Sequence, residues 1–322
     1  MAKRLIAWGM LAGAGLLAYA WMGERPRLRL RIMRVGWPRG AGLKILHLSD
    51  QHFGADSWVQ RQRIAWLSHH LPHLQPDLIL LTGDFLHDAA GLSAVEVLLQ
   101  RLPAAPLGTY AVLGNHDYAL YSYGELFRNM AHSIRAAATP AHKLSALLAE
   151  ANTLRQLAWN IYRNQRLRFA AVSNPTAALR QLLAAYHVTL LENQAVPLPG
   201  RPDIWLAGVD DLVEGQPDLH QALARIPAEA AVILLSHNPD LLYTPAARRV
   251  QLAFCGHTHG GQVRLPGVGA LHTQSAYITR QRAAGCFEDL PGGGKMIISA
   301  GMGESTPFRL GVPPEVLWIE VV

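Results

Sequence analysis

Five short apolar runs in this chain stop at a histidine or aspartate, and each stop lies beside a glycine or serine. The run 43–49 leads into Asp50 and His52, 77–81 into Gly83 and Asp84, and 109–113 into Gly114, Asn115, His116 and Asp117. The run 231–235 leads into Ser236 and His237, and 251–254 into Gly256, His257, Thr258 and His259. Short aliphatic and β-branched runs bounded by turn residues read as strands buried on both faces. Further runs at 188–191, 204–209, 296–300 and 316–322 read the same way, and helical patterns occupy 59–71, 93–101, 177–186 and 217–225. Strands alternating with helices predict an α/β fold. In open sheets of that class ligands sit outside the carboxyl ends of the strands, so these loops are expected to converge.

A lone Asp or His at a strand end is more often a hydrogen-bonded loop residue than a ligand. Five such loops at one edge form a donor set. Two divalent cations about 3.5–4 Å apart need a bridging carboxylate, several His, Asp or amide ligands, and open positions for water and substrate.

The motif order DxH, GD, GNHD, H, GHTH resembles that of the calcineurin-like metallophosphoesterase superfamily and spans Asp50 to His259. The resemblance implies an αββα sandwich holding two divalent metal ions. It implies Asp50, His52 and His259 on one metal, Asp84 as the bridge, and Asn115, His237 and His257 on the other. His116 is implied as a catalytic group that protonates the leaving group or stabilises phosphoryl oxygens, with Asp117 orienting it. The implied reaction is direct attack of an activated water on phosphorus. His, Asp and Asn ligands suit manganese, iron or zinc. A narrower resemblance, to membrane-tethered bacterial phosphodiesterases, rests on GHTHGGQ at 256–262 and on the segment 301–315 ending in Pro313, Pro314 and Glu315. Some members of that branch resemble hydrolases of UDP-2,3-diacylglucosamine, a lipid A precursor. The implied reaction is hydrolysis of a phosphodiester or pyrophosphate bond in such a lipid-linked or nucleotide-linked substrate. A soluble phosphorylated substrate, with the anchor setting location only, is the alternative. A membrane scaffold without activity is a distant one, against which the complete ligand set argues.

The formal charge is +6, but residues 1–34 carry seven Lys or Arg against one Glu, which is 7 − 1 = +6, so the rest sums to zero. No nucleic-acid partner is expected from so local a charge. Residues 5–22 are uncharged and apolar, between Lys3 and Arg4 on one side and Glu24, Arg25, Arg27, Arg29, Arg31 and Arg34 on the other. Eighteen residues lie at the short limit of a membrane helix. The small residues Ala18 and Ala20 also suit a signal-peptide cleavage site, but the run continues through Trp21 and Met22 straight into arginines, so an uncleaved anchor over 1–24 and a catalytic domain over 25–322 are expected. The arginine bias, an unpaired Cys255 that would be exposed to oxidation outside, and the cytoplasmic occurrence of UDP-linked lipids place the domain on the cytoplasmic side of the inner (cell) membrane. The segment 28–35 alternates Leu28, Leu30 and Ile32 with arginines and reads as a half-buried strand.

Residues 118–187 form a basic helical insert longer than the family pattern, in which Leu144, Leu147, Leu148, Ala151, Leu154, Ala158 and Ile161 fall at helical spacing. Two readings stand: a cap whose stripe packs on the domain, or a lid whose stripe meets a bilayer or acyl chains. His69, His70 and His73 read as surface histidines and His47 as a strand residue, while His87 follows the GD motif near the metals. Arg264, Arg280 and Arg309 are candidate phosphate partners, and Asp210 and Asp211 candidate supports for ligand histidines.

Overall fold

The computed structural model describes residues 8, 13–16, 18–121, 132–136, 139–163 and 171–322. Its strands are β1 (Arg29–Val35), β2 (Lys44–Leu48), β3 (Leu78–Thr82), β4 (Thr109–Val112), β5 (Ala119–Tyr121), β6 (Ala171–Ser173), β7 (Val188–Leu190) and β8 (Gln194–Leu198). They continue with β9 (Arg201–Gly208), β10 (Ala231–Leu235), β11 (Leu252–Cys255), β12 (Arg264–Leu265), β13 (Gly269–Ala270), β14 (Gly285–Phe287), β15 (Lys295–Ile298) and β16 (Glu315–Val321). Side chains alternate across a strand, and that alternation sets the layers. In β2, Ile45 joins a core shared with Ile233, Leu235 and Phe254 of a second sheet. Leu46 and Leu48 face the other way, onto Leu67, Val95, Leu98, Leu179 and Leu183 of the helices Trp58–His70, Leu92–Arg101 and Thr176–Ala185. The outer face of the second sheet packs Val232, Leu234 and Ala253 on Leu219, Ala222 and Leu223 of the helix Leu219–Leu223. Two sheets are thus sandwiched between helical layers, and the mixed α/β reading holds.

One sheet runs β1-β16-β2-β3-β4-β7 and the other β14-β15-β11-β10-β9-β8. Within them β2, β3, β4 and β7 are parallel, as are β9, β10, β11 and β15. Parallel neighbours put their carboxyl ends at one edge, which brings all five ligand-bearing loops to the same end of the sandwich.

The expected strands and helices are found close to their predicted positions; the short strands β5, β6, β8, β12, β13 and β14 have no counterpart in the hydrophobic pattern. Part of the apolar run 5–22 lies outside the described residues, and among the described residues no helix is long and apolar enough to cross a membrane. The turn Tyr19–Gly23 that ends the run is docked on the body: Arg309 N donates to Ala20 O (2.9 Å) and Gly311 N to Glu24 Oε2 (2.8 Å). Strand β1 departs from simple alternation. Leu28 is buried but Ile32 is 63% exposed, as an edge strand permits. Arg29 and Arg31 each reach the buried Glu315 at 3.5 Å across the β1–β16 pair. In the insert, Leu144, Leu147, Leu148 and Leu154 lie exposed on the helix Pro140–Tyr162, so these four do not pack on the domain as a cap would require. The side chains of Ala158 and Ile161 lie outside the described residues.

Candidate metal centre

Close approach of the backbone decides the local conformation at the strand edge. Asp50 N donates to Gly83 O and His52 N to Asp84 O, both at 2.9 Å, which ties the first two loops together. Asp50, His52, Asp84, His257 and His259 all adopt positive φ, between 47° and 68°. That region is rare for residues with a Cβ and costs of order 1–3 kcal/mol each. The glycines beside them have no room for a side chain. A Cβ on Gly114 would stand 2.3 Å from Asp84 Oδ1, and one on Gly256 would stand 1.9 Å from Ser49 Oγ.

The side chains converge as two groups that meet at Asp84. On one side, His52 Nε2 is 3.3 Å from Asp84 Oδ2 and 3.1 Å from His259 Nε2, which is 3.5 Å from Asp50 Oδ1. On the other, His237 Nε2 is 3.3 Å from Asp84 Oδ2, and His257 Nδ1 is 3.3 Å from His237 Nε2 and 3.1 Å from Asn115 Oδ1. All seven residues expected as ligands are therefore brought together, and all but His257 are buried.

The chemistry of this set fits cations. Ligand atoms of Asp50, His52, Asp84 and His259 lie within 4.8 Å of one another, and Asp50 Oδ2 is buried without a hydrogen-bond partner. A carboxylate oxygen left so costs several kcal/mol unless a positive charge meets it. Burial, with the Asp84 charge, pushes Asp50 above its ordinary carboxyl value against the pull of His237 and His52. Burial pushes Asp84 up too, but His237 and His116 and hydrogen bonds from His237 and His52 outweigh it and hold Asp84 well below that value. Burial opposes charge on His237, yet Asp84 and Asp50 raise it to about 10. Cation binding at His237 must displace that proton, because only neutral imidazole ligates.

Backbone carbonyls orient three of the histidines expected as ligands. His237 Nδ1 lies 2.7 Å from Thr82 O and His259 Nδ1 3.2 Å from Gly303 O, which leaves Nε2 of each turned inward. His257 is reversed, with Nε2 3.3 Å from Gln274 O and Nδ1 inward. Such partners fix the tautomer and the ring direction. Asp210 and Asp211 do not take this part. Asp210 accepts from Tyr118 Oη, Asp211 N and Gln216 N, and Asp211 from Val213 N and Glu214 N.

His116 lies beside the expected ligands, its ring edge-on to His52 with centroids 4.5 Å apart and its Nδ1 buried without a hydrogen-bond partner. Burial, reinforced by neighbouring imidazoles, keeps it neutral against the pull of Asp84. Asp117 was expected to orient this ring. Its carboxylate instead accepts from three backbone N–H groups, Asp84 and Gly114 at 2.9 Å and Leu86 at 3.0 Å, so it clamps two loops together. Arg309 is not a phosphate partner either. It is fully buried and donates to the carbonyls of Val312, Ala300, Gly301 and Gly303, shaping the loop whose Gly303 O orients His259. Arg264 donates to Gln281 O. His69, His70 and His73 sit at the end of the helix Trp58–His70, where His70 stacks on Trp66, away from these groups. Cys255 is fully buried and burial raises its thiol, which removes the expected exposure to oxidation. The sequence reading missed Asn174, whose amide donates to His116 O (2.7 Å) and His87 O (3.3 Å), and gave Glu315, whose carboxylate accepts from Ala300 N (3.0 Å), only as part of a signature.

Residues 43–261 match the family model described as calcineurin-like phosphoesterase. The chain is 26% identical to the UDP-2,3-diacylglucosamine pyrophosphatase LpxG of Chlamydia muridarum, over 95% of this chain and 93% of that protein. It is 28% identical to the phosphodiesterase YaeI of Escherichia coli, over 97% of this chain and 93% of that protein. To the uncharacterized metallophosphoesterase YkuE of Bacillus subtilis it is 26% identical, over 85% and 77% respectively.

Proposed function

The chain belongs to the calcineurin-like phosphoesterase family of two-metal hydrolases, and from that premise we propose that it is a membrane-anchored enzyme cleaving the pyrophosphate bond of a UDP-linked glycolipid. The observation that carries the chemical half is the meeting of two donor groups at Asp84. Asp50, His52, Asp84 and His259 would hold one divalent ion, and Asp84, Asn115, His237 and His257 the other. When bound, the pair supplies Lewis-acid charge and makes water a nucleophile near neutral pH. His116, neutral and without a ligand's place, donates its N–H to a phosphoryl oxygen as negative charge builds there. Asp117 and Asn174 keep that ring in place through the backbone on either side of it.

The substrate half rests on three features. A relative of nearly equal length bears a name that states the pyrophosphatase activity on UDP-2,3-diacylglucosamine. An apolar run of membrane-span length precedes the domain, which supports an anchor over 1–24, and the arginines that follow it favour the cytoplasmic face. The helix Pro140–Tyr162 offers exposed leucines beside the exposed Lys143 and Arg155, a face suited to acyl chains at an anionic surface. The test is turnover by the full-length, manganese-loaded protein in detergent. UMP release from UDP-2,3-diacylglucosamine should exceed hydrolysis of bis(p-nitrophenyl) phosphate by about tenfold or more in kcat/KM. A preference for the soluble diester would favour the soluble-substrate alternative and leave the anchor a purely locating role.

A further inference from the structure

His87 has no part in either metal group, yet its ring faces the same space. One ring nitrogen each of His52, His87 and His116 lies within 4.8 Å of the others. The rings of His87 and His116 stack at 6.0 Å with 21° between planes, and the Asn174 amide spans the carbonyls of both residues, so their spacing is fixed by the backbone. His87 Nδ1 is buried without a hydrogen-bond partner. From His52 and His87 a cavity of about 320 Å³ runs between the loop 51–55, the start of the helix Trp58–His70 and the segment 304–307. Gln51, Ser57, Gln60 and Ser305 supply uncharged polar groups to its wall, where Arg25 and Arg63 are paired with Glu304 and Asp88 accepts from the backbone N–H groups of Ala55 and Ala90. This volume is at the lower end of the roughly 300–1,000 Å³ typical of small-molecule sites. A second cavity, of about 700 Å³, is lined by Tyr118, Arg180, Glu192 and Asp210, groups already bonded to one another.

We infer that His87 contacts the substrate by donating a hydrogen bond to an oxygen of a second phosphate, adjacent to the one cleaved, whose remaining substituent occupies the cavity beside the loop 51–55. The inference rests on the metal-hydrolase reading of the centre. A further cation between the three histidines would meet imidazoles and no carboxylate, and His52 is already turned to Asp84 and His259. An anionic oxygen, by contrast, can accept from the N–H groups of two imidazoles set side by side. A monoester would leave both His87 and the cavity without a partner.

The test compares methylenediphosphonate with methylphosphonate by calorimetry on the manganese-loaded full chain, alongside metal analysis. The wild type should bind the diphosphonate at least about tenfold more tightly, His87→Ala should lose most of that ratio, and His87→Gln, which keeps an N–H donor, should retain part of it. Both variants should keep the wild-type metal content. No preference in the wild type, an unchanged ratio in His87→Ala, or loss of metal from that variant would each overturn the assignment. Hydrolysis of bis(p-nitrophenyl) phosphate by the wild type reports separately on the hydrolase reading, which can fail or stand whatever the binding ratio shows.

Discussion

At the strand edge, Asp50, Asp84, His237 and His259 are each under 5% exposed, while on the helix Pro140–Tyr162 Leu144 and Leu148 are each 60% exposed or more. Each region inverts the arrangement that folding alone favours, with polar groups inside at one and apolar groups outside at the other. The inversions carry different loads. The edge concentrates acids, imidazoles and positive φ angles where every displacement is felt, a cost that the surrounding core offsets and that cations would offset further when bound. The helix leaves apolar surface in water with no folding gain, which a lipid would turn to use.

If the difference is real, substitutions at the edge should be severe and those on the helix selective. The largest effect is expected for Gly114→Ala, whose Cβ would lie 2.7 Å from Asp84 N and 2.8 Å from His237 Cε1. Overpacking of this kind costs about 1–3 kcal/mol, and because Asp84 and His237 are the residues proposed to hold metal, metal content should fall with activity. A variant with wild-type metal content would show that the edge tolerates movement.

His116→Asn comes next. Metal content should be kept while kcat falls by roughly 10² or more, since the ring lies beside both donor groups without belonging to either. Loss of metal along with turnover would transfer His116 to the ligands.

How much of this contrast could be read without a structure differs along the chain. The strand Leu78–Thr82 is visible because its buried positions 78–81 are all aliphatic, and its glycine and aspartate follow at once. The helix pattern around Leu144 was equally plain, but which surface it faces depends on tertiary placement that periodicity does not encode. Asp117, Arg309 and Asn174 went astray for the same reason. Asp117 sits next to His116 in sequence, yet its hydrogen bonds go to Gly114 and to backbone amides some 31 and 33 residues away. Arg309 has the composition of a phosphate ligand, and only its complete burial among carbonyl oxygens shows otherwise.

On the helix, replacing Leu144, Leu147 and Leu154 together with Ser should lower kcat/KM on an acylated substrate by about tenfold while leaving bis(p-nitrophenyl) phosphate within about twofold. Equal loss on both would make the exposed face a structural feature and erase the comparison.

The smallest effect is expected where the N-terminal arm joins the edge. Glu304 pairs with Arg25 at 2.6 Å and with Arg63, and Arg309 lies 3.5 Å away. Burial would raise its carboxyl, but Arg63, Arg309 and Arg25 outweigh that and hold it below its ordinary value of 4.5. A depressed carboxyl contributes stability that is fully present above the unfolded-state value and is lost as pH falls through the folded-state value. Unfolding midpoints should therefore drop below pH 4.5 in part through Glu304, and Glu304→Gln should flatten that portion of the profile. An unchanged profile would mean the clasp contributes nothing to acid stability.

The most direct test of the two-group centre is metal stoichiometry in Asp84→Ala, measured beside hydrolysis and beside His69→Ala as a surface control. The shared position of Asp84 between His52 and His237 predicts fewer metal ions per chain than in the wild type and no turnover, with His69→Ala unchanged in both. Wild-type metal content together with full activity in Asp84→Ala would contradict the account.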